Sequence, residues 1–393
     1  MNLMKFNLLF PLNGFTFAYP LILQRLIATS NFTLVHTDQA LISLILCSRN
    51  DSYMGNSRWR LETSINLALL NAKDASFLDK LEIVVSDWGS ENPLHEVLNL
   101  VPEAKDRVKF VHVPPDIAKV EQKDSKFPEV IALNVAARRA NGEYIGRIDN
   151  DTVIGTDFFR KFEKLHKNNP TDELDLADSF LFVERKSVPY RISRLSLPLK
   201  LISWFIRFFS NFFIVESAKD WGREFWWSPV GIMMFHRDIW NATQGYDERL
   251  IYWGWMEGDL ALRLGQKHKV VEFSKFVGYS FYHLEHYSNL TEYKDRNGAA
   301  TPRKKNPVLT DNLNYSENKS GWGLMDHKVN CQNYSPKTFH NSVIHLVLAV
   351  PRLVLGCFLL TYDYFVRSLN NLSNKYFSPL RMFIGKFRQK VIN

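Results

Sequence analysis

The sequence predicts an α/β protein with a mostly parallel, doubly wound sheet, and three observations support this fold class. Short apolar segments of strand length alternate with segments of helical pattern between Leu41 and Thr152. The first apolar segment is continuous, as in a parallel strand buried on both faces. Each segment ends in polar residues, and such sheets bind ligands at the carboxyl ends of their strands. We therefore expect three polar clusters to meet in one crevice: Ser48–Asp51, Asp87–Ser90 and Asp149–Asp151.

The predicted elements follow one another in a regular order. The predicted strands cover Leu41–Cys47, Leu81–Ser86 and Val108–His112, with a fourth strand starting at Tyr144 and a later one within Ser228–Arg237. The predicted helices cover Arg60–Asn71, Pro93–Leu100 and Glu129–Asn141.

Composition limits the class of partner. The 393 residues are 46% hydrophobic and 23% charged, which is ordinary for a globular protein. A net charge of +8 favours an anionic partner such as a nucleotide, a lipid head group or a membrane surface. Nucleic acid is disfavoured because the basic residues accompany long apolar runs. Three scattered cysteines give no disulfide framework, which favours a reducing, cytoplasmic compartment.

The composition also divides the chain into four parts. Residues 1–40 form an apolar arm, 41–295 the main domain, 296–340 a polar linker, and 341–393 an apolar tail with a basic end. The tail is expected to associate peripherally with a membrane surface, in the cytoplasm or at the Golgi. Residues 195–215 hold many aromatic side chains, two cations and no acid, so a core helix and a membrane-interface helix explain them equally well.

The stretch Tyr144–Thr152 carries the strongest chemical signal, since it runs into Asp149-Asn150-Asp151. Two carboxylates one residue apart need a cation, an arginine or water, because an unpaired buried charge is costly. A divalent cation that bridges to phosphate oxygens is the favoured explanation. A solvated turn explains the triplet by itself equally well.

This order of motifs resembles the nucleotide-binding half of GT-A glycosyltransferases, most closely the inverting family 2 type. In that family a helix of the form Asn-x-Gly-x-x-x-Ala-x-Gly-Glu precedes the metal-binding Asp-x-Asp. Here Asn134-Val-Ala-Ala-Arg-Arg-Ala140-Asn-Gly142-Glu143 precedes Asp149. The chain departs from the family at Ala136, which replaces a Gly, and at Cys47-Ser-Arg-Asn50, which replaces a Pro-x-Tyr-Asn.

Residues 220–290 extend the resemblance to an acceptor and catalytic half, beside the nucleotide-binding half at 41–152. Gly245-Tyr-Asp-Glu248 is similar to a family Gly-Phe-Asp-Glu turn. The segment from Trp253 to Arg263 resembles the Trp-Gly-x-Glu-Asp-x-Asp-Leu-x-x-Arg segment of β-galactosyltransferases and N-acetylgalactosaminyltransferases. Glu257 then takes the position of the catalytic carboxylate, with Asp259 as the second candidate. His286 or His283 lies where those enzymes place a metal-binding His.

The resemblance implies a metal-dependent, inverting hexosyltransferase that moves a sugar from a nucleoside diphosphate sugar, with UDP expected, to a hydroxyl of a glycan or glycolipid. Mn²⁺ or Mg²⁺ would be held by Asp149, Asp151, His283 and His286, with Asp149 closer to the ribose, and Glu257 or Asp259 would take the acceptor proton. The expected donor contacts are Ser48, Arg49, Asn50, Asp87, Asn134, Arg138, Arg147, Asp149 and Asn150. The expected acceptor platforms are Trp226, Trp227, Trp253 and Trp255.

Three other functions compete with this interpretation. A glycoside hydrolase could use Glu257 with another carboxylate, but it leaves the Asp-x-Asp unexplained. A nucleotidyltransferase would carry a Gly-rich loop after the first strand, and residues 48–60 contain one glycine, Gly55. A non-catalytic, membrane-associated scaffold with a degenerate glycosyltransferase domain is the third alternative.

Overall fold

The computed structural model describes residues 40–216, 232–252, 254–286, 306, 318–337, 339, 346–362 and 364–365. Its strands are β1 (Ile42–Ser48), β2 (Leu81–Trp88), β3 (Val108–Val113), β4 (Tyr144–Arg147), β5 (Thr152–Ile154), β6 (Ser179–Phe182), β7 (Arg185–Val188), β8 (Ile214–Glu216), β9 (Met233–His236), β10 (Lys269–Glu272), β11 (Phe281–Leu284) and β12 (Asn330–Asn333). Its helices are α1 (Ser57–Asp74), α2 (Leu94–Val97), α3 (Pro115–Gln122), α4 (Glu129–Ala137), α5 (Thr156–Lys167), α6 (Tyr190–Ser193), α7 (Leu199–Phe209), α8 (Arg237–Thr243), α9 (Met256–Gly265) and α10 (Ser274–Val277).

The main sheet has eight strands in the order β10-β6-β9-β4-β1-β2-β3-β12. Strand β1 is parallel to β2 and β4, β2 is parallel to β3, and β6 is parallel to β10. Strand β9 runs antiparallel to β4 and β6, and β12 antiparallel to β3. The predicted α/β fold with a mostly parallel sheet flanked by helices is therefore confirmed.

The continuous apolar pattern of β1 follows from burial on both faces. Leu44 and Leu46 pack into one core with α1 and α5, whereas Ile45 packs into a second core with α4, α8 and α9. Burying a large aliphatic side chain stabilises the fold by roughly 1.5–3 kcal/mol, so both layers are held firmly against the sheet.

A second sheet of four short strands, in the order β5-β11-β7-β8, was not predicted. Strand β11 is antiparallel to β5 and parallel to β7, and β7 is antiparallel to β8. Its strands are three or four residues long, which is too short for a periodic pattern to identify. This sheet brings β11 beside the residues that follow β4.

Several predicted boundaries differ from the structure. The helix predicted to reach Asn141 ends at Ala137, since the backbone N–H of Asn141 donates to Glu82 (2.7 Å). Gly142 then passes so close to β1 that a Cβ atom would lie 2.4 Å from the backbone nitrogen of Ser43. The helix predicted for Pro93–Leu100 is a single turn, α2, because Leu98 is extended. Helix α3 was not predicted.

The segment predicted as a linker, 296–340, contributes to the fold where it is described. Strand β12 extends the main sheet, and Trp322 and Tyr334 are 4% and 2% exposed. Of the predicted arm at 1–40, residues 1–39 lie outside the described residues, and the predicted domain limits stay predictions. In the described ranges we find no helix with both the length and the apolar character needed to cross a membrane.

Candidate active site

The polar clusters at the strand ends meet, as the sequence predicts. The backbone N–H of Asn50, after β1, donates to Ser90 Oγ after β2 at 2.8 Å. The side-chain amide of Asn150, after β4, lies 3.4 Å from Ser48 Oγ. Three loops that are far apart in sequence therefore form one polar edge of the sheet.

Pairing of β5 with β11 adds two histidines to this edge. His283 lies opposite Thr152, and the backbone N–H of Leu284 donates to the carbonyl oxygen of Asp151 at 2.9 Å. Nε2 of His283 is 3.8 Å from Oδ1 of Asp151, and Nε2 of His286 is 3.4 Å from Oδ2. One ligand atom from each of these three residues lies within 4.8 Å of the others, which is a spacing suited to a metal ion.

The peptide between the two histidines is itself fixed. Glu285 accepts hydrogen bonds from the hydroxyl of Ser187 on β7 and from the backbone N–H of Tyr190 (3.0 Å). The position of the histidines is therefore set by two neighbouring strands as well as by their own side-chain contacts.

Asp151 is a buried carboxylate in a cationic setting. It is 4% exposed, and Nη1 of the fully buried Arg60 lies 2.9 Å from its Oδ2. Burial alone would raise its pKa, but His283, His286 and nearby guanidinium groups together hold the pKa below its ordinary value. Among the described residues, no donor hydrogen-bonds to its Oδ1.

These residues fit a divalent cation. A buried carboxylate oxygen that lacks a hydrogen bond points to a ligand at that position. Two imidazoles and one carboxylate suit Mn²⁺ or another transition metal better than Mg²⁺, which prefers oxygen ligands. Asp151, His283 and His286 are the residues that would hold the ion.

Asp149 lies between two arginines instead. Its Oδ1 is 2.8 Å from Arg147 Nη2, and its Oδ2 is 2.8 Å from Arg185 Nη1. It is not among the three clustered ligand residues, so a metal contact from Asp149 stays a prediction.

Arg147, which we predicted to contact phosphate, is only 3% exposed and holds carboxylates together. Besides Asp149, its Nη2 lies 2.7 Å from Glu129 and 3.5 Å from Glu257. Burial opposes its charge, but the carboxylates more than offset burial and raise its pKa. Burial raises the pKa of Glu129 to about 7 against the attraction of Arg147, and the charges of Glu257 and Asp149 add to the rise.

The two candidate bases have different surroundings. Both lie in the first turn of α9, after Gly254 (φ +99°) and Trp255 (φ +73°). Asp259 forms a salt bridge with Arg263 (2.9 Å), and burial raises its pKa. Glu257 retains 29% side-chain exposure beside Arg147, so it is the better placed of the two to accept a proton from a bound molecule.

Other motif residues fix the backbone around the site. Asn134 is fully buried; its amide donates to the carbonyl oxygen of Tyr246 (2.9 Å) and accepts from the N–H of Tyr246 (2.9 Å). Gly245 has φ +65°, and a Cβ there would lie 2.3 Å from Oδ1 of Asn134. Nη2 of Arg263 donates to the Gly245 carbonyl oxygen at 2.8 Å. Asn134 and Arg263 therefore hold the turn at Gly245 in place.

The remaining predicted contacts are placed as follows. The carboxylate of Asp87 is fully buried and accepts hydrogen bonds from Ser90 Oγ and from the backbone N–H of Leu94 (2.7 Å). It also lies 3.1 Å from His112 Nδ1. Arg49 pairs with Asp51 at 2.8 Å, and Arg138 lies over the Trp322 ring at 4.6 Å. Trp255 is 37% exposed; Trp226, Trp227 and Trp253 lie outside the described residues.

Two cations that contact the aspartates, Arg60 and Arg185, are not among the site residues that the sequence predicts. Nothing in the sequence distinguishes Arg60 from Arg58, which is exposed and pairs with Glu62 at 3.0 Å on the same helix. A usable signal was the Asp pair itself, because buried carboxylates require cationic partners.

The comparisons with known proteins concern the fold alone. No protein-family model and no curated protein matches the chain. Among solved structures, the catalytic domain of Drosophila β1,4-galactosyltransferase 7 in complex with xylobiose is 12% identical with a TM-score of 0.34, over 62% of this chain and 71% of that one. Residues 1–349 of S. aureus TarS are 14% identical with a TM-score of 0.37, over 62% of this chain and 60% of that one. This chain therefore spans less than two thirds of the TarS structure.

Proposed function

We propose that this protein is a metal-dependent, inverting glycosyltransferase. It would move a hexose from a nucleoside diphosphate sugar, with UDP expected, to a hydroxyl of a glycan or glycolipid. The observation that carries the proposal is the convergence of Asp151, His283 and His286 at the strand ends that also hold Asn50 and Ser90. A carboxylate–imidazole cluster at the ligand-binding edge of an α/β sheet suits recognition of a diphosphate through a divalent cation.

The proposed roles follow from these contacts. A bound Mn²⁺ would neutralise charge on the diphosphate leaving group. Arg60 pairs with Asp151 and orients its carboxylate, and Arg185 pairs with Asp149 in the same way. The loop residues Ser48, Asn50 and Asn150 would contact the nucleotide, since their backbone and amide groups line the edge where the three loops meet.

Glu257 is the proposed general base. The acceptor oxygen forms a bond to the anomeric carbon while the bond to the diphosphate oxygen breaks, and the acceptor proton passes to the Glu257 carboxylate. One such displacement inverts the anomeric centre. Arg147, at 3.5 Å, orients this carboxylate. Trp255, held at φ +73° directly before the helix, offers a ring face for the acceptor sugar.

A cytoplasmic setting is part of the proposal. It rests on the sequence, in which the scattered Cys47, Cys331 and Cys357 give no disulfide framework.

A thermal-shift panel tests the donor and the metal together. We expect UDP to raise the melting temperature only when Mn²⁺ is present, and a ligand at 100 times its Kd adds roughly 2.7 kcal/mol of stability. His286→Ala should lose this response. His327→Ala is the matched control, because His327 is a surface residue whose Nε2 lies 3.6 Å from Glu121. If no nucleoside diphosphate stabilises the protein with any divalent ion, the transferase proposal fails and the hydrolase or scaffold alternatives gain support.

A further inference from the structure

Two segments outside the candidate active site pack side by side on one apolar cluster. The first segment is helix α7 together with the residues that follow it to 215, and it contributes Phe205, Ile206 and Phe213. The second segment is a helical stretch at 346–362, and it contributes Ala349 and Leu353. The second segment also packs against the residues that precede α7, since a Cβ at Gly356 would lie 3.1 Å from the side chain of Leu195. Because the inner residues share one cluster, the outer residues of the two segments belong to neighbouring surface.

These outer residues form a large exposed apolar surface, which we call the apolar face. Its main members, with their exposed fractions, are Trp204 (46%), Phe208 (58%), Phe212 (82%), Val354 (63%), Leu355 (58%) and Phe358 (68%). At roughly 200 Å² for a whole aromatic side chain, the three phenylalanines alone expose about 400 Å². The largest apolar patch on a typical monomeric protein is on the order of 300–600 Å² and is often functional.

The charges on the two segments are all positive. Lys200, Arg207 and Arg352 are exposed, and the sequence has no Asp or Glu at 199–215 or at 346–362. The sequence at 363–393 adds Arg367, Lys375, Arg381, Lys386, Arg388 and Lys390 against one acid, Asp363. Aromatic and aliphatic residues with cations at the margin are typical of segments that lie in the interface of an anionic membrane.

We infer that the apolar face docks onto an anionic lipid bilayer, with the two segments lying in the head-group region. A second copy of the chain fits less well, because pairing two such faces would bring their cations together. The inference does not depend on the transferase assignment, since it rests on residues outside the candidate active site and its test involves neither metal nor nucleotide.

Vesicle flotation of the full chain tests this inference. We expect the protein to float with vesicles of phosphatidylcholine mixed with phosphatidylglycerol, to float at least tenfold less with phosphatidylcholine alone, and to bind less at high salt. Failure of the wild type to float with the anionic vesicles would overturn the inference.

Variants locate the binding surface. The double variant Phe208→Glu/Phe212→Glu and the single variant Phe358→Glu, on separate segments, should each reduce partition into anionic vesicles at least tenfold. Val120→Glu is the matched control, because Val120 is 71% exposed on α3 and does not belong to the apolar face. Circular dichroism checks that each variant is folded. Unchanged flotation of the Phe variants would overturn the inference, as would a wild-type dimer in light scattering that these substitutions convert to monomers.

Discussion

Asp151→Asn should have two separable effects, one on the fold and one on metal binding. The substitution removes the anion that lies 2.9 Å from Arg60, a side chain with no exposed surface. Breaking a buried ion pair in this way costs about 3–5 kcal/mol, because the remaining cation stays buried without a partner. We therefore expect the metal-free variant to lose about that much unfolding free energy.

The stabilisation by bound Mn²⁺ differs in size from the loss of the ion pair and depends on His286 as well as Asp151. At 100 times its Kd, Mn²⁺ should stabilise the wild type by roughly 2.7 kcal/mol. If loss of one ligand weakens binding roughly a hundredfold, the same concentration stabilises His286→Ala by only about 0.4 kcal/mol. His286 is partly exposed, so this variant should keep nearly wild-type stability without metal, unlike Asp151→Asn.

Urea unfolding with and without MnCl₂ measures both effects. The double variant Arg60→Met/Asp151→Asn provides the decisive control, since it removes the buried cation along with the anion. We expect it to regain much of the lost metal-free stability and to stay unresponsive to Mn²⁺. A full Mn²⁺ response in either Asp151→Asn or His286→Ala would refute the assignment of the metal site.

Three further predictions concern the residues around the site. Glu257→Gln should abolish transfer while leaving UDP binding intact, whereas Asp259→Asn should mainly lower stability, by about 1–3 kcal/mol, because it releases a buried arginine. Initial rates and urea unfolding distinguish the two variants. Wild-type turnover in Glu257→Gln would disprove the role of Glu257 as the base. Because the pKa of Glu129 in the folded protein is about 7, above the ordinary 4.5, the folded state retains a proton that the unfolded state loses between these values, so stability should fall as pH rises through this window. Glu129→Gln should remove about 1–2 kcal/mol of that fall, allowing for partial exposure, and identical pH profiles of urea unfolding would contradict this. Gly245→Ala should lower the free energy of unfolding by about 2–4 kcal/mol, since it combines a steric clash with a positive φ. The control Gly55→Ala, with φ +95° and open space around the new Cβ, should lower it by about 1 kcal/mol. Equal losses in the two variants would argue against the clash.

The main sheet could be predicted because its signals are local. The apolar run of β1 and the polar residues after β1, β2 and β4 need no knowledge of distant partners. The approach of His283 to Asp151 is different, since it depends on pairing between two short strands far apart in the sequence. The resemblance to a known family predicted that His283 and Asp151 lie together, whereas the periodic pattern of the sequence did not.

Arg147 has surroundings that the sequence does not predict, and its contact with phosphate stays a prediction. It follows Ile145 by two residues on β4, and Ile145 packs in the core that contains α4. Strand alternation therefore places Arg147 on the α4 side, where Glu129 begins the helix. An isolated arginine near an Asp pair suggests phosphate, but burial at 3% leaves the guanidinium to bind protein carboxylates.

The hydrogen bond from Leu284 to the carbonyl of Asp151 has a consequence for how the protein would exchange a metal ion. The ligand residues are spaced by a β-ladder and by the contacts of Glu285, and none of these contacts uses a side-chain atom that would bind the ion. Little folding would accompany binding, so the free energy of coordination is not spent on ordering the chain. After chelation, fresh Mn²⁺ should then restore the site at a rate set by diffusion of the ion, because the ligand residues keep their arrangement.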